Sequence, residues 1–165
     1  MNTKKCYAKD YCKGYGTPKC TERCDFWWKL NTLYNKSNLP MRYRYNIPLR
    51  PEQIDREAFL KLKDYLDNVV DRVDNGDSLY IYSENTGNGK TTWSSKIMNQ
   101  YIRKIVAKSD LEDEVLYLNV SLFVEAMRNQ YSEYSEDISR LKEQAMKCKL
   151  LILDDIGAER PSEYV

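Results

Sequence analysis

A glycine-rich turn near the middle of the sequence decides the fold, and it reads Glu84-Asn85-Thr86-Gly87-Asn88-Gly89-Lys90-Thr91. It fits the pattern G-x-x-x-x-G-K-[ST] at every specified position except the first, where Glu84 replaces glycine. The preceding apolar residues 79–82 predict a short strand. Residues 90–107 then carry apolar side chains at helical spacing, so the turn is predicted to join a strand to a helix.

This strand, turn and helix together predict a phosphate-binding loop. Glycines let backbone N–H groups curl around phosphate oxygens, and the N-terminus of the next helix adds partial positive charge. Lys90 would contact the β- and γ-phosphates, and Glu84 is expected to point outward while Gly87 provides flexibility. The predicted nucleotide-binding residues are Gly87, Asn88, Gly89, Lys90, Thr91 and Thr92.

A second motif lies further along the chain, where the apolar run of residues 150–153 ends in Asp154 and Asp155. An apolar strand that ends in acids holds Mg²⁺ through its first carboxylate, and the second can orient or deprotonate an attacking water. We therefore predict Thr91 and Asp154 as magnesium ligands, and Lys90 and Asp155 as catalytic residues. Taken alone, the Gly-Lys-Thr turn could occur by chance, and the two acids could be polar residues that end a strand. Their joint occurrence favours ATP binding.

The rest of the chain after residue 50 alternates helical and strand patterns. The order of elements predicts a parallel sheet sandwiched by helices, and Cys148 beside the last strand is interpreted as a core residue. The other predicted helices are residues 55–73, ended by Asn75-Gly76-Asp77, a helix from the cap Ser121 to residue 130, and a helix from the cap Ser135 to residue 147. The other predicted strands, both buried, are residues 115–120 and 150–153.

Composition and charge divide the chain into two segments. Hydrophobic residues make up 42% and charged residues 31% of 165, a globular balance. No apolar run approaches the roughly 20 residues of a membrane span, and the N-terminus lacks a signal-peptide pattern, so a cytoplasmic protein without membrane contact is expected. Residues 1–50 hold 11 Lys/Arg against 3 Asp/Glu, whereas residues 51–165 hold 15 against 22. We place domains at residues 1–40 and 41–165, near Pro40, Pro48 and Pro51.

The basic first segment carries a cysteine pattern, C-x5-C-x7-C-x3-C, formed by Cys6, Cys12, Cys20 and Cys24. Four thiolates suit a closed tetrahedral zinc site, which would supply folding energy to a segment of low apolar content. An iron–sulfur cluster and unligated cysteines are the alternatives.

Aromatic residues are interleaved with the basic ones in this segment. Tyrosines 7, 11, 15, 34, 43 and 45 could stack on nucleic acid bases or pack around the metal. Phe26-Trp27-Trp28 favours a protein interface if exposed, or else forms the small segment's core.

Three parts of the sequence together resemble a known family. The stretch Leu150-Leu151-Ile152-Leu153-Asp154-Asp155-Ile156-Gly157-Ala158-Glu159, the segment 115–128 and the Gly-Lys-Thr turn resemble the AAA+ ATPases of the DnaC/DnaI type, which load bacterial and phage replicative helicases. The resemblance covers about residues 40–165 and implies a P-loop NTPase fold, a replicative helicase partner and single-stranded DNA. For the full-length protein it also implies Mg²⁺-dependent ATP hydrolysis and a possible homo-oligomer. Loaders of the DnaI type also carry an N-terminal zinc domain. The alternatives are a non-hydrolysing zinc-dependent module that binds helicase or DNA, and a transposition helper ATPase.

The family pattern also predicts that the ATPase core is incomplete at its C-terminus. In that family a further strand with a polar sensor residue inserts between the loop strand and the Asp-Asp strand, and a later segment supplies an arginine finger. Because ten residues follow Asp155, we expect a gap between residues 79–83 and 149–154. The sequence is then a fragment or a naturally truncated protein.

Overall fold

A computed structural model describes residues 6–18, 20–21, 24–45, 48, 55–112, 114–129 and 135–157. A 3-10 turn, Met41–Tyr43, lies between the first two helices. In chain order, the helices and strands are α1 (Asp25–Lys36), α2 (Arg56–Asp67), α3 (Val69–Asp74), α4 (Lys90–Ile105), β1 (Val115–Asn119), α5 (Val120–Asn129), α6 (Glu136–Lys147) and β2 (Leu150–Asp154).

The two apolar strands predicted from the sequence pair with each other. β1 is buried as predicted, but β2 is buried on one face only, because Leu151 and Leu153 are 37% and 48% exposed. β1 and β2 are parallel, in a register that runs from Val115 opposite Leu150 to Asn119 opposite Asp154. The connection between parallel strands must cross over, and α5 and α6 make that crossover. Both strands therefore end at the same edge, which brings Asn119 beside the two acids.

Helix α4 lies at the centre of the described structure and contacts α1, α2, α3 and β2. Its apolar residues recur at steps of four, and Trp93, Ile97 and Tyr101 are all buried. Asn99 is also buried on this helix, where it accepts from the Tyr34 hydroxyl at 2.8 Å and donates to the Tyr43 carbonyl at 2.6 Å. These bonds satisfy the buried amide and tie the N-terminal segment to α4.

The cysteine-rich segment contributes to the same hydrophobic core as the rest of the chain. Tyr7, Leu30 and Tyr34 form one buried cluster with Ile97 and Met98 of α4. The rings of Tyr7 and Tyr34 meet edge to face, with 4.9 Å between their centroids. The basic segment and the following segment are thus packed together across the boundary predicted near residue 40.

The strand predicted at residues 79–82 is wrong, because this segment is irregular in the structure. Tyr80 and Tyr82 are 76% and 68% exposed. A groove of about 910 Å³ lies between residues 79–84 on one side and residues 148–157 on the other. A short β-prone run is stable as a strand only with neighbours that complete its hydrogen bonds, and β2 lies across the groove from it. The described sheet has two strands, so the gap predicted between two strands of a larger sheet stays a prediction, and the structure shows an open groove between residues 79–84 and β2.

The single helix predicted at residues 55–73 is two helices in the structure, interrupted at Asn68. Asn68 has φ −104° and ψ 20°, outside helical values. Its side-chain amide donates to the Asp64 backbone carbonyl at 3.0 Å. The Asn68 N–H donates to the same carbonyl at 3.1 Å, and the Arg72 N–H donates to the Asn68 carbonyl at 3.0 Å, so helical hydrogen bonds continue on both sides of the break.

The capping residue predicted for α5 is also wrong. The helix begins at Val120, and its cap is Asn119, whose Oδ1 accepts from the Leu122 N–H at 3.0 Å. Ser121 lies inside the helix and donates instead to the Asp155 carbonyl at 3.4 Å. None of the helices in the described part of the chain combines the length and the apolar character needed to cross a lipid bilayer.

Candidate functional site

The glycine-rich turn leads directly into the N-terminus of α4. Gly87 and Gly89 have φ values of +77° and +89°, which side chains with a Cβ rarely adopt. The turn therefore requires glycine at both positions. Because α4 begins at Lys90, its first N–H groups lack helical partners and lie next to the turn, where they can bind an anion. Asn88 lies in the turn and Thr92 in the first turn of α4, both partly buried.

The Lys90 side chain folds back over the turn. Its Nζ donates to the Asn85 carbonyl at 2.8 Å and lies 3.3 Å from both the Ser83 carbonyl and Asn88 Oδ1. These acceptors are neutral, so a phosphate would offer the ammonium a stronger, charge-assisted partner. Glu84 is exposed and lines the groove, so its outward orientation stays a prediction.

Thr91 and Asp154 meet at the end of the groove, although 63 residues separate them in the chain. The Thr91 hydroxyl lies 3.0 Å from Asp154 Oδ2 and 3.2 Å from Oδ1. The Tyr117 hydroxyl also donates to Oδ2 of the same carboxylate. Hydroxyl and carboxylate oxygens are the hard ligands that Mg²⁺ prefers, so the donor set at this point fits magnesium.

Asp155 occupies a different environment from Asp154. It has φ +57°, in the left-handed region, and is exposed. Its Oδ2 accepts a hydrogen bond from Asn119 Nδ2 at 2.7 Å. The left-handed turn after β2 directs the two acids to different partners, as their predicted separate roles require.

The groove brings together four of the residues that the sequence selected, whereas Gly87, Asn88, Gly89 and Thr92 are not among its lining residues. Its lining includes Lys90 and Thr91 on one side and Asp154 and Asp155 on the other. A volume of about 910 Å³ is within the range of small-molecule sites. The arrangement provides a cation and free helix N–H groups for phosphates, two oxygen ligands for a metal, and an exposed carboxylate beside them.

Sequence reasoning missed three polar residues of this site, namely Ser83, Tyr117 and Asn119. Ser83 accepts from the Asn85 N–H at 3.3 Å and from the Asn88 side chain, and so supports the turn. Tyr117 and Asn119 are two residues apart on β1, and alternate residues of a strand face the same side. Polar groups at alternate positions of an otherwise apolar strand were the signal that could have found them.

The four cysteines of the first segment are partly buried and form no disulfides. Burial raises the pKa of the Cys6 thiol above its usual value, and the nearby thiols of Cys20, Cys12 and Cys24 raise it further. Charge repulsion between thiolates acts over distances much longer than the zinc–sulfur bond of about 2.3 Å, so this pKa shift by itself does not place the four sulfurs in one site. Within the described residues, no three potential ligands converge closely enough to hold a metal ion. The donor set suits zinc chemically, and zinc stays a prediction.

The aromatic residues of this segment divide into buried and exposed groups. Tyr7 and Tyr34 are buried, so neither can stack on nucleic acid bases. Phe26 packs against Tyr11, with 6.3 Å between the ring centroids. Trp27 and Trp28, both on α1, are 37% and 56% exposed.

No family model matches the sequence, and no curated protein or solved structure is significantly similar to it.

Proposed function

We propose that this protein binds ATP with Mg²⁺ in the groove and acts as an ATP-dependent loader of a replicative helicase on single-stranded DNA. The observation that carries the nucleotide part is the contact of the Thr91 hydroxyl with Asp154, at 3.0 Å. The metal ion bound to a nucleoside triphosphate is expected to have two oxygen ligands from the protein. One is a hydroxyl that follows a glycine-rich turn, and the other is a carboxylate at the end of a strand. Thr91 and Asp154 are distant in the sequence but in contact in the structure, which supports a single site built from both motifs.

The triphosphate lies on the glycine-rich turn in this proposal. Lys90 leaves its neutral partners on the turn and binds the β- and γ-phosphates, while the N–H groups at the start of α4 bind the phosphate oxygens. Thr91 and Asp154 would hold Mg²⁺, which when bound would neutralise phosphate charge. Asp155, exposed beside the metal ligands, orients or deprotonates the attacking water.

The helicase part of the proposal depends on the family resemblance and on the character of the N-terminal segment. That segment has a net positive charge and presents Trp27 and Trp28 on α1. Exposed tryptophans are common in the centres of protein interfaces. We infer that this segment contacts the helicase, with single-stranded DNA as a further partner.

A non-hydrolysing binding module is the second candidate function. The irregular backbone of residues 79–83 and the open groove beside β2 favour it, because a hydrolytic site needs its groups held rigidly. A transposition helper ATPase would use the same nucleotide site, but the cysteine pattern argues against it.

Helicase binding is tested with the purified replicative helicase hexamer of the same organism. We expect a complex in size-exclusion chromatography that forms with ATP and Mg²⁺ and weakens when Trp28 is changed to Ala. Leu60→Ala is the matched control, because Leu60 is similarly exposed, at 57%, but lies on α2. If the hexamer never associates with the chain, the loader function is wrong, whereas the nucleotide site is tested separately.

The zinc prediction is tested by elemental analysis of the purified chain. Four thiolates fill one tetrahedral site, so about one zinc per chain is expected. Cys20→Ser should lose the metal and lower the free energy of unfolding, because metal binding and folding are coupled. Cys148→Ser is the control outside the cluster and should keep its zinc. Metal-free protein in which Cys20→Ser behaves like the parent would refute the prediction.

A further inference from the structure

We propose that Tyr117 is a positioning residue for the magnesium site, where its hydroxyl fixes the Asp154 carboxylate against Thr91. This inference rests on the proposed nucleotide function and adds to it a residue from β1. Tyr117 lies opposite Ile152 in the strand register, and its side chain reaches diagonally to Asp154, two residues further along β2. A diagonal neighbour on an adjacent strand is within reach of an aromatic side chain.

The Tyr117 ring is a rigid support for this contact. The side chain is 5% exposed and belongs to the buried core cluster. The β1 backbone is held on its outer side as well, where the Tyr117 N–H donates to the Ser37 carbonyl at 2.8 Å. The Asn38 side chain donates to the Tyr117 carbonyl at 3.2 Å. The position of the hydroxyl is therefore set by the core rather than by the groove.

The Tyr117 hydroxyl stays protonated over the range in which the protein would work. A phenol has an ordinary pKa of about 10, so the Tyr117 hydroxyl carries its proton at neutral pH. The phenol is then a hydrogen-bond donor throughout neutral pH. Asp154 accepts this hydrogen bond and still has lone pairs on both oxygens for the metal.

Fixing the carboxylate matters because Mg²⁺ demands near-ideal octahedral geometry. The Asp154 side chain has two rotatable bonds, and it is only partly buried at the open end of the groove. Thr91 alone cannot hold it in place, since Thr91 is itself proposed as a ligand. The Tyr117 hydroxyl is the donor that comes from outside the ligand set. Loss of such a supporting bond typically weakens metal binding by roughly 10- to 100-fold.

The test compares the parent chain with Tyr117→Phe, which removes the hydroxyl and keeps the ring. ATP affinity is measured by equilibrium titration across a series of Mg²⁺ concentrations, with EDTA as the metal-free point. We expect Tyr117→Phe to need roughly tenfold more Mg²⁺ for the half-maximal gain in ATP affinity. Its ATP affinity in EDTA should equal that of the parent, because the phosphate contacts do not involve Tyr117.

Tyr34→Phe is the matched control. It also removes a buried hydroxyl with one side-chain acceptor, Asn99, at 2.8 Å, but away from the groove. Thermal unfolding should show both variants folded, and Tyr34→Phe should respond to Mg²⁺ like the parent.

Other outcomes would overturn either the positioning role of Tyr117 or the proposed nucleotide site. If Tyr117→Phe responds to Mg²⁺ like the parent, the positioning role is wrong while the nucleotide site stands. If its ATP affinity falls equally with EDTA and with Mg²⁺, or Tyr34→Phe changes the Mg²⁺ response as much, Tyr117 is merely structural. If the parent binds no ATP under any condition, the proposed function fails and the positioning role fails with it.

Discussion

Lys90→Ala is expected to remove most of the ATP binding. In the structure the Lys90 ammonium is held over the turn by the Asn85 and Ser83 carbonyls, next to the N-terminus of α4. A phosphate that replaces these acceptors gains a charge-assisted bond, and alanine removes that gain completely. Such bonds contribute about 1.5–3 kcal/mol, so the dissociation constant should rise by roughly 10- to 100-fold. Isothermal titration with ATP and Mg²⁺ measures it.

Lys104→Ala is the control for this experiment. Lys104 is an exposed lysine in the last turn of the same helix, and its ammonium donates to the Asp67 carbonyl rather than to the turn. Its removal should leave ATP affinity within about twofold of the parent, since exposed charges at that distance are largely screened. Unchanged affinity in Lys90→Ala would disprove the phosphate-binding role of the turn.

The two acids at the end of β2 should respond differently to amide substitution. Asp154→Asn removes a charged ligand that contacts Thr91, so the gain in ATP affinity on adding Mg²⁺ should be lost. Asp155→Asn should bind ATP and Mg²⁺ like the parent, because Asp155 contacts Asn119 instead. Hydrolysis should fall by roughly 10²- to 10⁴-fold, the contribution of a positioned general base.

Asparagine has nearly the same shape as aspartate, so the two variants remove the negative charge without a large change in packing. Asp155 has φ +57°, and asparagine tolerates the left-handed region as well as aspartate does. Backbone strain should therefore not contribute to the Asp155→Asn result. ATP titrations with and without Mg²⁺ and a phosphate-release assay are run on both variants. Equal losses of binding in the two would contradict the division of roles, and a parent without turnover would favour the non-hydrolysing module.

The elements that the sequence predicted best are those with a strong local pattern. Helix α4 follows from apolar residues at steps of four, and β1 and β2 follow from short continuous apolar runs. The glycine-rich turn was located correctly because positive φ at Gly87 and Gly89 is a local backbone property. The break at Asn68 was missed, because the apolar periodicity continues across it.

The sequence by itself determined which residues could bind phosphate and metal, since the turn and the acidic strand end are local patterns. The tertiary structure alone decided that Tyr117 and Asn119 contact the two acids, and that residues 79–82 form no strand. It also decided that Tyr7 and Tyr34 lie in the core rather than on a binding surface. The physical reason is that strand pairing, burial and contacts across a sheet depend on neighbours distant in the chain, which no local pattern specifies.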